Sequence, residues 1–140
     1  VVNEKYSLVK IVDGIKYKLI KTLPSRMYGL EKRRINREDI VFASAERALI
    51  DAFDFYDVKR GFDILSEQID KMNVAMLVNY VARYPVQIVR RRIGYFLEKL
   101  GVSLKLLNKI DTGLKGYSLL YDTDIKKGRV NNIWRVFINE

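Results

Sequence analysis

The order of sequence patterns predicts an α+β fold: β-type alternation up to about residue 43, helical periodicity from Ser44 to about residue 110, and β-rich runs after Gly116. Length and composition bound it further. The chain has 140 residues, of which 49% are hydrophobic and 31% charged, enough for one folded domain with its own core. Residues 1–140 are therefore expected to form a single domain. It should contain an N-terminal β-hairpin and short strands, four to five central helices, and C-terminal strands that join the N-terminal ones in the same sheet.

The first hairpin follows from Leu8 to Val12 and Ile15 to Leu23, two β-rich runs around Asp13-Gly14, a dipeptide suited to a two-residue turn. Ile15, Tyr17 and Leu19 alternate with Lys16 and Lys18, which predicts one buried face and one wet, basic face. Pro24 to Gly29 reads as a connector, Arg33 to Ile35 as a short strand and Ile40 to Ala43 as a second. At Ser44 the period changes. Ser44 is suited to cap a helix from Ala45 to Tyr56, with Glu46 in the first turn, where the helix dipole favours an acid. A second helix is expected from Gly61 to Met72, and a third from Val74 to Arg83, capped by Asn73.

Pro85 ends the third helix and opens a fourth that runs to Leu100 and closes at Gly101. Residues spaced at 100° put Val86, Val89, Ile93, Phe96, Leu97 and Leu100 on one stripe, and Ile88, Arg91, Arg92, Tyr95 and Lys99 opposite. Gly94 in mid-helix suggests another backbone passing close by. A short helix from Ser103 to Ile110 and strands at Tyr117 to Tyr121 and Ile133 to Ile138 complete the order, with Asp122 to Asn132 as a polar connection.

Composition excludes several functions. The chain has no Cys and no His, so disulfides, cysteine zinc sites, thiol nucleophiles and the commonest general base are absent. No apolar run has the ~20 residues of a spanning helix, and Val1 to Lys5 lacks the pattern of a signal peptide. A cytoplasmic, non-membrane, non-enzymatic protein without cofactor or metal is expected.

The formal net charge is +9, unevenly spread. Residues 1–43 carry ten basic and five acidic side chains, residues 44–84 five and seven, residues 85–140 eleven and five. Basic ends attract polyanions, or serve solubility at alkaline pI; charge alone leaves both open.

Three basic clusters are candidate contacts: Arg33, Arg34 and Arg37; Arg90, Arg91 and Arg92 with Tyr95; and Lys126, Lys127 and Arg129. The helical phase turns Arg91 and Arg92 away from the core stripe, so charge reversal there should weaken polyanion binding. Asp122-Thr123-Asp124 suggests a magnesium-holding carboxylate pair, but the spacing from Gly116 and Ser118 is too short for a nucleotidyltransferase, and a loop is the better reading. Asp51, Asp54 and Asp57 form an acidic ladder that reads as a salt-bridged face, with Arg47 and Asp51 four residues apart as an ion pair.

Pro24-Ser25-Arg26-Met27-Tyr28-Gly29, the stretch from Val41 to Ala52, Arg91 to Glu98, and Gly128 to Asn131 with Trp134-Arg135-Val136 together resemble the C-terminal domain of AbiEi-type antitoxins. The blocks occur in order over nearly the whole chain. Most specific is Ser-x-Glu-Arg-Ala-Leu-x-Asp from Ser44 to Asp51, with Ala45 where the family often has Pro. The resemblance implies a type IV toxin–antitoxin regulator, in which an N-terminal winged helix binds operator DNA. The C-terminal domain opposes a nucleotidyltransferase toxin, without a stable complex in the characterised cases. Val1 would then mark a truncation, and full autorepression is not expected of this chain. Glu46, Arg47 and Asp51 are expected to be structural. Arg33, Arg34, Arg91, Arg92, Tyr95, Lys127 and Arg129 are expected to contact operator DNA, RNA shared with the toxin, or a partner.

Overall fold

The structure, a computed structural model, describes residues 9–125 and 127–139. Val1 to Leu8, which include the start of the first expected strand, and Lys126 of the C-terminal cluster lie outside the described residues. The order of elements is α+β. Strands β1 (Val9–Val12), β2 (Ile15–Lys18), β3 (Leu30–Ile35) and β4 (Glu38–Ala43) come first. Helices α1 (Ala45–Phe55), α2 (Val58–Gln68), α3 (Val74–Ala82), α4 (Gln87–Lys99) and α5 (Leu104–Leu107) follow. Strands β5 (Ser118–Leu119), β6 (Arg129–Asn131) and β7 (Val136–Ile138) end the chain.

The two ends do not share a sheet, contrary to the sequence expectation: β1–β2 and β3–β4 are separate antiparallel pairs, and the C-terminal strands form a sheet of order β5-β7-β6. Each hairpin is closed by a two-residue turn and completes its ladder internally. Strand β7 has both edges occupied, by β5 in parallel and β6 in antiparallel pairing. In the first hairpin Asp13 and Gly14 take φ of 51° and 77°, as a two-residue turn with left-handed centre requires. That turn pairs Ile11 with Lys16 and Tyr17 with Lys10, so lysine and apolar residues share both faces. Neither face is buried, which corrects the expected division into a core face and a wet face.

Local capping explains the helix starts. The Ser44 hydroxyl accepts from the Arg47 amide (3.2 Å), and the Asn73 side chain accepts from the Met76 amide (3.0 Å). Asp57 accepts from the Lys59 amide (2.9 Å), so α2 begins three residues before Gly61, and a residue of the acidic ladder is a cap. Pro85 lies outside α4, whose N-cap is Val86.

The core gathers around α4. Leu49, Ile50 and Phe53 of α1, Leu65 of α2, and Leu77, Val78 and Val81 of α3 enclose one side of Val89, Ile93, Phe96 and Leu97. Phe62 stacks on Phe96 with ring centroids 4.4 Å apart. Leu120, Trp134, Val136 and Ile138 from the C-terminal segment join the same cluster. The close approach expected at Gly94 is real, but the neighbour is a side chain and not a backbone: a Cβ on Gly94 would lie 2.0 Å from the indole ring of Trp134.

Candidate nucleic-acid interface

The segment from Ser44 to Asp51 ties three parts of the molecule together. Beyond the Ser44 cap, Glu46 accepts from the Asn73 amide at 3.0 Å and so joins the start of α1 to the start of α3. Arg47 is buried. It donates through Nε and Nη2 to Asp51 Oδ1 (3.1 and 2.8 Å) and through Nη1 to the Arg26 carbonyl (2.6 Å). Its guanidinium also lies over the rings of Tyr28 and Tyr84, at 4.7 and 5.3 Å. Burial works against its charge, but the hydrogen bond and charge of Asp51 outweigh that and hold its pKa above the ordinary value. Every described hydrogen bond of this side chain goes to Asp51 or to the Arg26 carbonyl.

Arg91 and Arg92 are displaced from their expected role. They are only 2% and 4% exposed, because the segment after α5 crosses the α4 face that the helical phase had assigned to solvent. Arg91 donates to the carbonyls of Thr112 (2.8 Å) and Lys115 (2.9 Å) and to the Ser118 hydroxyl (2.9 Å). Arg92 donates twice to the Leu119 carbonyl (3.1 and 3.0 Å) and pairs with Asp122 (2.6 Å). Arg90 reaches the carbonyls of Asp111 (2.8 Å) and Tyr84 (2.6 Å). Tyr95 is likewise buried, with its ring edge-on to Phe96. Burial, with Arg135 and Arg90 nearby, lowers the pKa of Arg91. The sequence signal for this arrangement was the pair Gly113 and Gly116. They mark an irregular segment whose carbonyls have few ladder partners and need donors from elsewhere.

Exposed cations are dense on the two hairpins, and others lie along the helices and loops, among them Lys59, Arg60, Arg83, Lys105, Lys109 and Lys115. The β3–β4 register places Arg33 opposite Ile40 and Arg34 opposite Asp39, so the two arginines project from opposite faces of one ribbon. Arg33 keeps 66% of its side chain exposed while meeting Glu31 at 3.0 Å, and Lys32 pairs diagonally with Asp39 at 2.8 Å. Asn36 and Arg37 form the turn with φ of 51° and 69°. A non-glycine residue other than Asn or Asp is uncommon there, and this one adds a cation to the tip. Lys10, Lys16 and Lys18 are exposed on the first hairpin. Lys127 and Arg129 are also exposed, Arg129 in β6 opposite Ile138, in a different sheet from Arg33 and Arg34. Sequence thus located two exposed clusters and placed outside one that lies inside.

Asp54, Asp57 and Asp122 belong to the framework, whereas Asp124 is exposed. Asp54 accepts from the Tyr84 hydroxyl (2.5 Å), Asp57 caps α2, and Asp122 holds Arg92. Burial, then the hydrogen bond to Asp54, drives the Tyr84 pKa well above its ordinary value. Asp122 and Asp57 border an open groove of about 620 Å³ with Tyr56, Lys59 and Tyr121. Among the described residues no three acidic side chains gather into a group able to hold a metal ion, and no helix is long and apolar enough to cross a membrane. No family model, curated protein or solved structure matches the chain.

Proposed function

We propose that this chain is a non-enzymatic, AbiEi-like antitoxin and transcriptional-regulator domain that acts in the cytoplasm against a nucleotidyltransferase toxin, and that its basic hairpins contact nucleic acid. Support comes from the residue blocks of the resemblance together with one structural observation: two narrow ribbons without cores of their own carry Lys10, Lys16, Lys18, Lys32, Arg33, Arg34 and Arg37, all exposed. A two-stranded ribbon of this width fits the major groove of B-DNA or lies along a single strand. Arg33, Arg34 and Arg37 are its phosphate contacts, with Lys127 and Arg129 as a second contact from the C-terminal sheet. The ligand is operator DNA or an RNA that the toxin also uses.

The test is fluorescence anisotropy with a labelled operator fragment and a structured RNA, measured over a range of salt. Arg33→Glu with Arg34→Glu should weaken binding and reduce the slope of log K against log salt by about 0.9 for each phosphate contact removed. The thermal midpoint should be preserved. Unchanged affinity and slope in the folded variant would refute the assignment. Growth rescue on co-expression with a nucleotidyltransferase toxin tests the antitoxin half separately.

A further inference from the structure

At the root of the second hairpin, where it meets α1 and the turn after Pro24, lies a groove of about 340 Å³. Its walls include Met27, Leu30, Val41 and Phe42, four large apolar side chains that are all exposed. Arg26, Arg47 and Asp51 also line it. Among the described residues, Arg26 Nε is the one buried side-chain nitrogen or oxygen without a hydrogen-bond partner. Asp51 Oδ1 accepts both Nε and Nη2 of Arg47, and no hydrogen bond joins Asp51 to Arg26 Nε. An N–H of a charged group held away from water without an acceptor is costly, and Arg26 as a whole stays half-buried on the groove wall, within reach of an occupant.

We propose that this groove binds a segment of a partner protein in which an acidic side chain stands beside a bulky apolar one. The carboxylate would accept from Arg26, and the apolar neighbour would cover Met27, Leu30, Val41 and Phe42. Three features favour such an occupant. The volume suits one or two side chains. The basic excess of residues 1–43, ten cations against five acids, selects an acidic partner over a basic one. The walls are mostly apolar, with Arg26 beside the Arg47–Asp51 ion pair, whereas a phosphate backbone is followed by several exposed cations such as those further along the ribbons. A carboxylate can take two parallel hydrogen bonds from the fork of an arginine, which makes the pairing directional.

The probe is an array of twelve-residue peptides whose central residue is Asp, Glu, Asn or Gln and whose neighbours are Leu, Phe or Ser. The labelled 140-residue chain is applied to the array, and the best peptide is then measured by anisotropy. Acidic peptides with Leu or Phe neighbours should bind, and their Asn or Gln counterparts should bind about tenfold more weakly. Arg26→Gln should cause a loss of about the same size. Val41→Glu provides a second variant. It places a carboxylate on the groove wall opposite Lys32, so the ribbon keeps a favourable cross-strand pair while the acidic peptide is repelled. Equal binding of acidic and amide peptides would overturn the proposal, as would unaltered binding by both variants. A twelve-nucleotide single strand that displaces the peptide and depends equally on Arg26 would assign the groove to nucleic acid instead.

Discussion

Two arginine pairs separate the hairpin from the helical core. Arg33-Arg34 and Arg91-Arg92 are the same dipeptide, yet the first projects from both faces of a ribbon while the second is almost fully enclosed. The difference lies in their surroundings and not in their own elements. Strands β3 and β4 form a two-stranded ribbon whose outer edges are open to water, so Arg33 and Arg34 have no buried carbonyls to serve. Helix α4 is self-sufficient, but the segment from Asp111 to Leu119 has little ladder, and Arg91 and Arg92 supply its carbonyls with donors. A buried guanidinium is stable here because each described hydrogen bond is charge-assisted and several converge on one fork. Basic composition therefore has two meanings within one chain.

The largest expected effect tests that separation directly. Arg91→Met with Arg92→Met should cost about 4 kcal/mol of folding stability, because the carbonyls of Thr112, Lys115 and Leu119 and the carboxylate of Asp122 lose their donors together. Arg33→Ser with Arg34→Ser should change stability by no more than about 0.5 kcal/mol, as exposed ion pairs contribute little. Urea denaturation of both pairs measures the contrast. Equal losses would mean that the hairpin is part of the cooperative core.

Gly94→Ala follows, with an expected loss of about 3 kcal/mol, because the added methyl group would occupy the position of the Trp134 ring. That ring is pinned: its Nε1 donates to Glu98 Oε2 (2.5 Å) and its backbone amide to Asn131 Oδ1 (3.0 Å). In the background of Trp134→Leu the glycine substitution should cost much less, a coupling that a double-mutant cycle reads directly. Additive losses would show that the glycine acts only through helix propensity.

Tyr84→Phe should cost about 2 kcal/mol at neutral pH through loss of the hydrogen bond to Asp54. Its pH dependence has a definite sign. The folded pKa of Tyr84 is raised, so the stability linked to its proton is complete below the unfolded value near 10 and declines above it, as the unfolded chain ionises first. Burial raises the Tyr28 pKa in the same direction. Chemical denaturation between pH 9 and 11 should therefore show falling stability in the parent chain and a shallower fall in the variant. The same slope in both would remove Tyr84 from the linkage.

What was legible in the sequence was local. Asp13-Gly14, Ser44, Asn73 and the Arg47–Asp51 spacing act through neighbours within four residues, and each was read correctly. Two things were not legible. The assignment of strands to sheets depends on which edges are already filled, and β7 fills both of its own within the last part of the chain. The burial of Arg91, Arg92 and Tyr95 depends on a segment some twenty to thirty residues further on, which periodicity within α4 cannot report. Gly94 signalled that something approached, and its nature, the indole of Trp134, could be read only from the fold. The orphan Nε of Arg26 had no sequence signature, because nothing in the pattern around Pro24 fixes where that side chain ends.

The smallest expected effect examines whether the second hairpin opens independently of the core. Arg37 holds φ of 69°, a conformation that costs an L residue with a Cβ roughly 1 kcal/mol and glycine almost nothing. Glycine also gains freedom in the open state, which offsets part of the relief. Arg37→Gly should therefore favour the closed ribbon by about 0.5 kcal/mol, by completing the Asn-Gly pair that such turns prefer. If the ribbon is its own opening unit, the paired amides of β3 and β4 should exchange about twofold more slowly while those of α3 and α4 remain unchanged. Slowing in the helices by the same factor would join the hairpin to the global unfolding unit, and the difference between the two arginine pairs would then be one of exposure alone.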